Sequence, residues 1–215
     1  LYILPSGFCT AVIIPTTTMM YMLPISVMVA MVIMRASVIV ISRGVDAIQI
    51  KQGILHKKVY VQENIGVVFA LFAAGTQLVF VKPGDFDFVH SPAAMSILGS
   101  YILAYSFRIY IMNYYKNTRS ATHTFNNQWF FGVEQIAASV GMVGIALPVF
   151  FAPELFGWHH EQIDLFRGAI LHPLPKWPSA VLAGTAFGVV AFFSVFIFMF
   201  KGRTATFAGL VNRLT

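Results

Sequence analysis

Residues 26–48 read SVMVAMVIMRASVIVISRGVDAI, an apolar run of membrane-spanning length with Arg35 near its middle. About 20 apolar residues in a helix cross the hydrocarbon core of a bilayer, so this stretch predicts a transmembrane helix. An arginine at the centre of such a helix costs about 2.5–3.5 kcal/mol on insertion scales. That cost is tolerated where the side chain faces a bundle interior or a water-filled cavity. Arg35 therefore predicts a polar pathway within a helix bundle.

The composition of the whole chain supports this interpretation. Of the 215 residues 58% are hydrophobic and only 10% are charged, which excludes an ordinary soluble domain and predicts an all-α polytopic membrane protein. The net charge of +6 does not indicate nucleic-acid binding, because the basic residues lie in short loops between apolar segments. Cys9 is the single cysteine, so an internal disulfide is excluded, and neither a metal site nor another cofactor is predicted.

Apolar segments recur along the chain and predict six transmembrane helices plus the start of a seventh. The predicted spans cover about residues 2–23, 26–48, 65–81, 93–115, 125–151 and 178–200, and the truncated seventh follows Arg203. Lysine and arginine concentrate in alternate loops, near residues 43–58, 116–123 and 201–203. Because cytoplasmic loops are the basic ones, these loops are assigned to the cytoplasm. The polar and aromatic connection that ends at Trp177 is then outside.

Four charged residues inside the predicted spans are candidate functional residues. Arg108 and Glu134 lie equally far from the loop near residue 121 and should reach the same depth, where they form either a structural ion pair or a coupling site at Glu134. Arg35 and Arg213 have no obvious carboxylate at their level. Because arginine offers planar, bidentate donors, this pair predicts an anion site, with Asn212 beside it. The alternative is that each arginine only fixes helix packing.

A family resemblance rests on several of these segments. The stretches VMVAMVIMRASVIVISR and QENIGVVFALFAAGTQLVF, and later SILGSYILAYSFRIYIMNYYKN, QWFFGVEQIAASVGMVGI and TATFAGLVNRLT, resemble helices of the drug/metabolite transporter superfamily. The closer likeness is to its nucleotide-sugar-transporter-like, EamA-like branch. The resemblance implies a ten-helix transporter with a 5+5 inverted repeat, of which this chain is a fragment. Residues 1–81 would hold helices three to five and residues 82–215 helices six to nine.

The function expected from this resemblance is secondary transport of a small metabolite or organic anion by alternating access. In phosphate-translocating members, basic residues of the ninth helix bind the anion, and Arg213 resembles that position. The alternative is a non-transporting, transporter-like structural subunit of a larger membrane complex. No enzyme motif such as GxSxG, HExxH or a P-loop is present, so an enzyme is not expected.

The expected partners are membrane lipids and a small anionic or polar metabolite, with other membrane subunits or a homodimer partner as open alternatives and no nucleic acid. Compact loops and the basic cytoplasmic bias favour a bacterial inner membrane, and an organelle membrane stays open.

Overall fold

The computed structural model describes residues 3–23, 26–79, 91–118 and 127–214. Within these ranges the regular structure consists of nine α-helices and one short 3-10 helix. The helices are α1 (Ile3–Met22), α2 (Val27–Lys51), α3 (Val61–Val79), α4 (Pro92–Thr118), α5 (Asn127–Phe150), α6 (Ala152–Phe156), α7 (Glu161–Leu171), α8 (Trp177–Val195), the 3-10 helix Phe196–Met199, and α9 (Ala205–Leu214). The prediction of an all-helical chain is thereby confirmed for the described residues.

Five of these helices are long and apolar enough to cross a membrane. They are α1, α2, α4, α5, and α8 together with the 3-10 helix that continues it. α3 falls in the third predicted span, but its apolar part, Val61–Thr76, is shorter, and α9 has ten residues. The coarse prediction of an integral membrane protein agrees with these five helices.

The core of the bundle is formed by α1 packed between α4 and α5. Glycine permits the close approach of α1 and α5. A Cβ atom added at Gly7 would lie 2.5 Å from the Cβ of Ala137 and 2.6 Å from the carbonyl oxygen of Glu134, and one at Gly141 would lie 2.8 Å from the Cβ of Ala11. Small residues that let two backbones come together are the usual means of helix association in a bilayer, where apolar surface alone gives no drive.

A second set of contacts joins α2 to α3, α4 and α9. α9 runs antiparallel to α2, because its first residues contact Asp46 whereas Gly209, further along α9, packs against Ser42. The shared polar and apolar contacts fix the position of α9, which carries Arg213, relative to α2 and α4.

The connection between the fifth and sixth predicted spans contains two short helices, α6 and α7, which the sequence did not indicate. Arg167 on α7 donates a hydrogen bond to Glu154 on α6 and stacks over the ring of Phe150, 5.3 Å from its centroid. Because Glu154 is half exposed, this is a surface contact that seats α7 on the end of α5.

α8 is the most apolar of the long helices and also the least buried. Every residue from 177 to 190 is exposed. In the described chain only its C-terminal end and the 3-10 helix that continues it join the bundle, where the ring of Phe196 in the 3-10 helix lies 4.3 Å from that of Phe131. A helix that is apolar on all sides needs lipid or another apolar helix around it.

Candidate functional site

One face of α4 carries a row of buried or partly buried residues, several of them polar, through the middle of the bundle. They recur at the three- and four-residue spacing that places side chains on a single helix face: Tyr101, Tyr105, Arg108, Met112 and Lys116. Arg108 lies ten residues before Thr118, the end of α4, or about 15 Å at a rise of about 1.5 Å per residue. Arg108 therefore lies well inside α4, one of the helices long and apolar enough to cross a membrane.

Arg108 is paired with Glu134, which comes from α5. The Arg108 Nε atom donates to Glu134 Oε1 at 2.9 Å, and Nη2 donates to Oε2 at 3.3 Å. The same carboxylate accepts hydrogen bonds from the hydroxyls of Ser6 at 2.5 Å and Thr10 at 3.4 Å, both on α1. We call these four residues the carboxylate cluster. It is buried, with only 2% of Glu134 exposed, and it joins the three helices of the core.

Arg213 meets the same face of α4 one turn away, at Tyr105. Its Nη2 atom donates to the Tyr105 hydroxyl at 2.7 Å, and the guanidinium carbon lies 5.4 Å from the centroid of that ring. The Nε atom of Arg213 is buried and has no hydrogen-bond partner. Within the described part of the chain no carboxylate pairs with Arg213. Its charge is therefore held by the ring and the hydroxyl of Tyr105, and the ring of Tyr101 packs behind that ring with 4.8 Å between the centroids.

The other two predicted binding residues lie elsewhere. Asn212 donates through Nδ2 to the backbone oxygen of Ser194 at 3.0 Å, which ties α9 to the end of α8. Arg35 is exposed on α2 and forms no hydrogen bond or ion pair with any residue that the structure describes. The structure thus brings Glu134 and Arg213 against two neighbouring residues of α4, Arg108 and Tyr105, and leaves Arg35 outside that group.

A buried polar cluster that sequence reasoning missed surrounds Asp46. Its two carboxylate oxygens accept hydrogen bonds from the backbone N–H groups of Ala205 at 2.9 Å and Thr206 at 2.6 Å, and from the Thr206 hydroxyl at 2.6 Å. The side-chain amide of Asn113 on α4 also donates to it, at 3.1 Å. Because these N–H groups are the unpaired first donors of a helix, the carboxylate of α2 stabilises the N-terminus of α9.

Further side chains also hold the turn before α9. Lys116 donates through Nζ to the carbonyl oxygens of Phe198 at 3.0 Å and Arg203 at 2.9 Å. The Thr204 hydroxyl accepts from the N–H of Phe207 and donates to Glu63 on α3. Thr204 ahead of an apolar run is a typical N-cap signal and could have located the start of α9, but nothing in the sequence indicates that Asp46 completes the cap.

No metal site is evident in the described ranges, where no three His, Cys, Asp or Glu side chains gather. Comparisons of this chain with models of protein families, with curated proteins and with solved structures give no match. The charges and hydrogen bonds of the bundle are therefore the basis for a functional proposal.

Proposed function

We propose that the chain is a secondary transporter of a small organic anion or polar metabolite, which binds at Arg213 and crosses by alternating access. The observation that supports this proposal is the state of Arg213. It lies against the middle of α4, its Nε atom is buried without an acceptor, and no described carboxylate balances its charge. An arginine of this kind inside a membrane protein typically marks a substrate or ion pathway, and its planar donors fit a carboxylate or phosphate.

Arg35 enters the proposal through the antiparallel arrangement of α2 and α9. Gly209 packs against Ser42. Arg213 lies four residues beyond Gly209, and Arg35 lies seven residues before Ser42, in the same direction along the bundle. At a rise of about 1.5 Å per residue the two arginines differ in depth by only about one helical turn. A modest shift of α2 against α9 would bring both guanidinium groups to one anion, and Asn212 would border the same position.

The architecture belongs to the same proposal. Residues 1–81 and 82–215 are parts of two inverted five-helix repeats, with six membrane helices and the start of a seventh in this chain. Rocking of one repeat against the other would expose Arg213 first to one side and then to the other. The protein is then a carrier rather than an enzyme, and the basic loops favour a bacterial inner membrane.

A transporter-like structural subunit is the second candidate, and the exposure of α8 is the observation that favours it. Residues 177–190 of α8 are all exposed, so no other part of the described chain covers them. A subunit of a larger membrane complex would cover this helix with a partner. In that case Arg213 would only fix the packing of α9 on α4.

Counterflow into proteoliposomes separates the two candidates. The protein is reconstituted with internal unlabelled gluconate, inorganic phosphate or glucose, and entry of the same compound, labelled and added outside, is measured. We expect saturable exchange of an anion, with at least a tenfold loss of rate in Arg213→Ala and a partial recovery in Arg213→Lys. Arg167→Gln is the matched control, because Arg167 is an arginine of the outer connection, and it should exchange at the wild-type rate.

Two results would overturn the transporter proposal. One is the absence of exchange for every compound tested by a folded, monodisperse protein. The other is an Arg213→Ala variant that exchanges as fast as the wild type. Either result, together with stoichiometric co-purification with other membrane subunits, would favour the structural role.

A further inference from the structure

Tyr105 lies between the carboxylate cluster and the proposed anion site on α4. Tyr105 lies one turn before Arg108 on α4, and side chains three residues apart on a helix are neighbours. Its hydroxyl accepts the hydrogen bond of Arg213. A change in the charge of the carboxylate cluster therefore alters the electrostatic potential at Arg213, with one side chain between the two.

The charges of Arg108, Glu134 and Arg213 determine how the carboxylate cluster affects the anion site. Arg108 and Arg213 carry two positive charges, and Glu134 supplies one negative charge, which leaves a net charge of +1. If Glu134 takes up a proton, the net charge rises to +2 and Arg108 loses its counter-ion. A bound anion would then be attracted more strongly. By linkage, the bound anion favours the protonated carboxyl group by the same factor.

The side chains around Glu134 come from two neighbouring helices. The groups that face it are the Arg108 guanidinium from α4, the hydroxyls of Ser6 and Thr10 from α1, and the half-buried thiol of Cys9, also from α1. Only Arg108 among them carries a charge. The two hydroxyls donate to the carboxylate now and can accept from it when it is protonated, because a hydroxyl is both donor and acceptor. A buried carboxyl group inside a membrane bundle is a typical proton carrier in transporters.

We propose that Glu134 is the proton-binding residue of an anion and proton symporter. In each cycle one proton adds to a carboxylate oxygen of Glu134, the Arg108 donors turn from Glu134 to the anion, and the two ions cross together. On the far side the proton leaves to water, the Arg108 and Glu134 pair forms again, and the anion is released. This inference rests on the proposed transport function and adds the coupling ion.

The test uses proteoliposomes loaded with the pH dye pyranine, with the membrane potential clamped by potassium and valinomycin. Gluconate or inorganic phosphate, whichever shows counterflow, is added at external pH 6 with internal pH 7.5, and again with pH 7.5 on both sides. For the wild type we expect internal acidification together with anion entry, and at least tenfold faster entry with the gradient than without it. In Glu134→Gln the ratio of the two rates should fall to about one. Glu154→Gln, an acidic residue of the outer connection, should keep the wild-type ratio.

If Glu134→Gln fails to transport, Glu134→Asp provides a second test of the inference. Any transport by Glu134→Asp should be accompanied by proton entry, as in the wild type. Wild-type anion entry without acidification, a Glu134→Gln variant that still responds to the gradient, or Glu134→Asp transport without protons would each show that the pair is structural only. The absence of all counterflow in the wild type is a different result, because it refutes the transport function itself.

Discussion

Replacement of Asp46 by alanine is expected to lower the free energy of unfolding by about 2–6 kcal/mol. The Asp46 carboxylate accepts two backbone N–H groups, those of Ala205 and Thr206, in a place where neither residue is more than 1% exposed. A buried donor left without an acceptor costs about 1–3 kcal/mol, so the two together give this range. The Thr206 hydroxyl and the Asn113 amide also lose an acceptor, but side chains can turn to other partners, so they add less.

The experiment is reversible unfolding of the purified protein in detergent, followed by its helical circular dichroism as the denaturant concentration rises. Asp46→Asn should lower the free energy of unfolding less than Asp46→Ala, because the amide oxygen can still accept a hydrogen bond from one of the two N–H groups. Asp164→Ala is the matched control, since Asp164 is an exposed aspartate in the first turn of α7. That replacement should change the free energy of unfolding by no more than about 0.5 kcal/mol.

The result that would refute the reasoning is an Asp46→Ala variant as stable as Asp164→Ala. It would mean that the N-terminus of α9 finds other acceptors, or that the Asp46 hydrogen bonds contribute nothing net after the carboxylate has been desolvated. A large loss in Asp46→Ala with no rescue in Asp46→Asn would point instead to the charge itself, acting on the dipole of α9.

Two further predictions concern the core and the connection that contains α6 and α7. Gly7→Ala should destabilise the protein by about 1–3 kcal/mol, because the new Cβ would lie 2.5 Å from that of Ala137, whereas Gly144→Ala meets no atom within 4 Å and should be neutral or slightly stabilising. Thermal unfolding of the two variants measures this, and equal effects would contradict it. The hydrogen bond from Arg167 lowers the pKa of Glu154, so the pair is intact above the ordinary glutamate pKa of about 4.3 and is lost as the pH falls through the lowered value. The protection factor of the α7 amides, which is the intrinsic exchange rate at each pH divided by the observed rate, should therefore fall in acid and should already be low at pH 7 in Arg167→Gln; a wild-type protection factor that persists through the acid range would contradict it.

The sequence by itself determined that this is a helical membrane chain and roughly where its long helices run. Hydropathy is summed along a segment, so it does not depend on how the helix is rotated or what it touches. The helix α2, for example, begins within one residue of its predicted start and ends three residues later than predicted, at Lys51. Equal distance from one short loop also placed Arg108 and Glu134 at the same depth, and the structure puts them in contact.

Only the tertiary structure decided which side chains meet. Arg213 and Tyr105 are 108 residues apart, and Asp46 and Thr206 are 160 apart, so no local pattern connects them. Whether a polar side chain finds a partner depends on the rotation of its helix and on the neighbour packed there, and this separates the exposed Arg35 from the partly buried Arg213 although both lie within apolar segments. Sequence therefore gives the position of a charge along a predicted membrane helix, and packing of the helices decides whether that charge is paired, stacked on a ring or left available to a ligand.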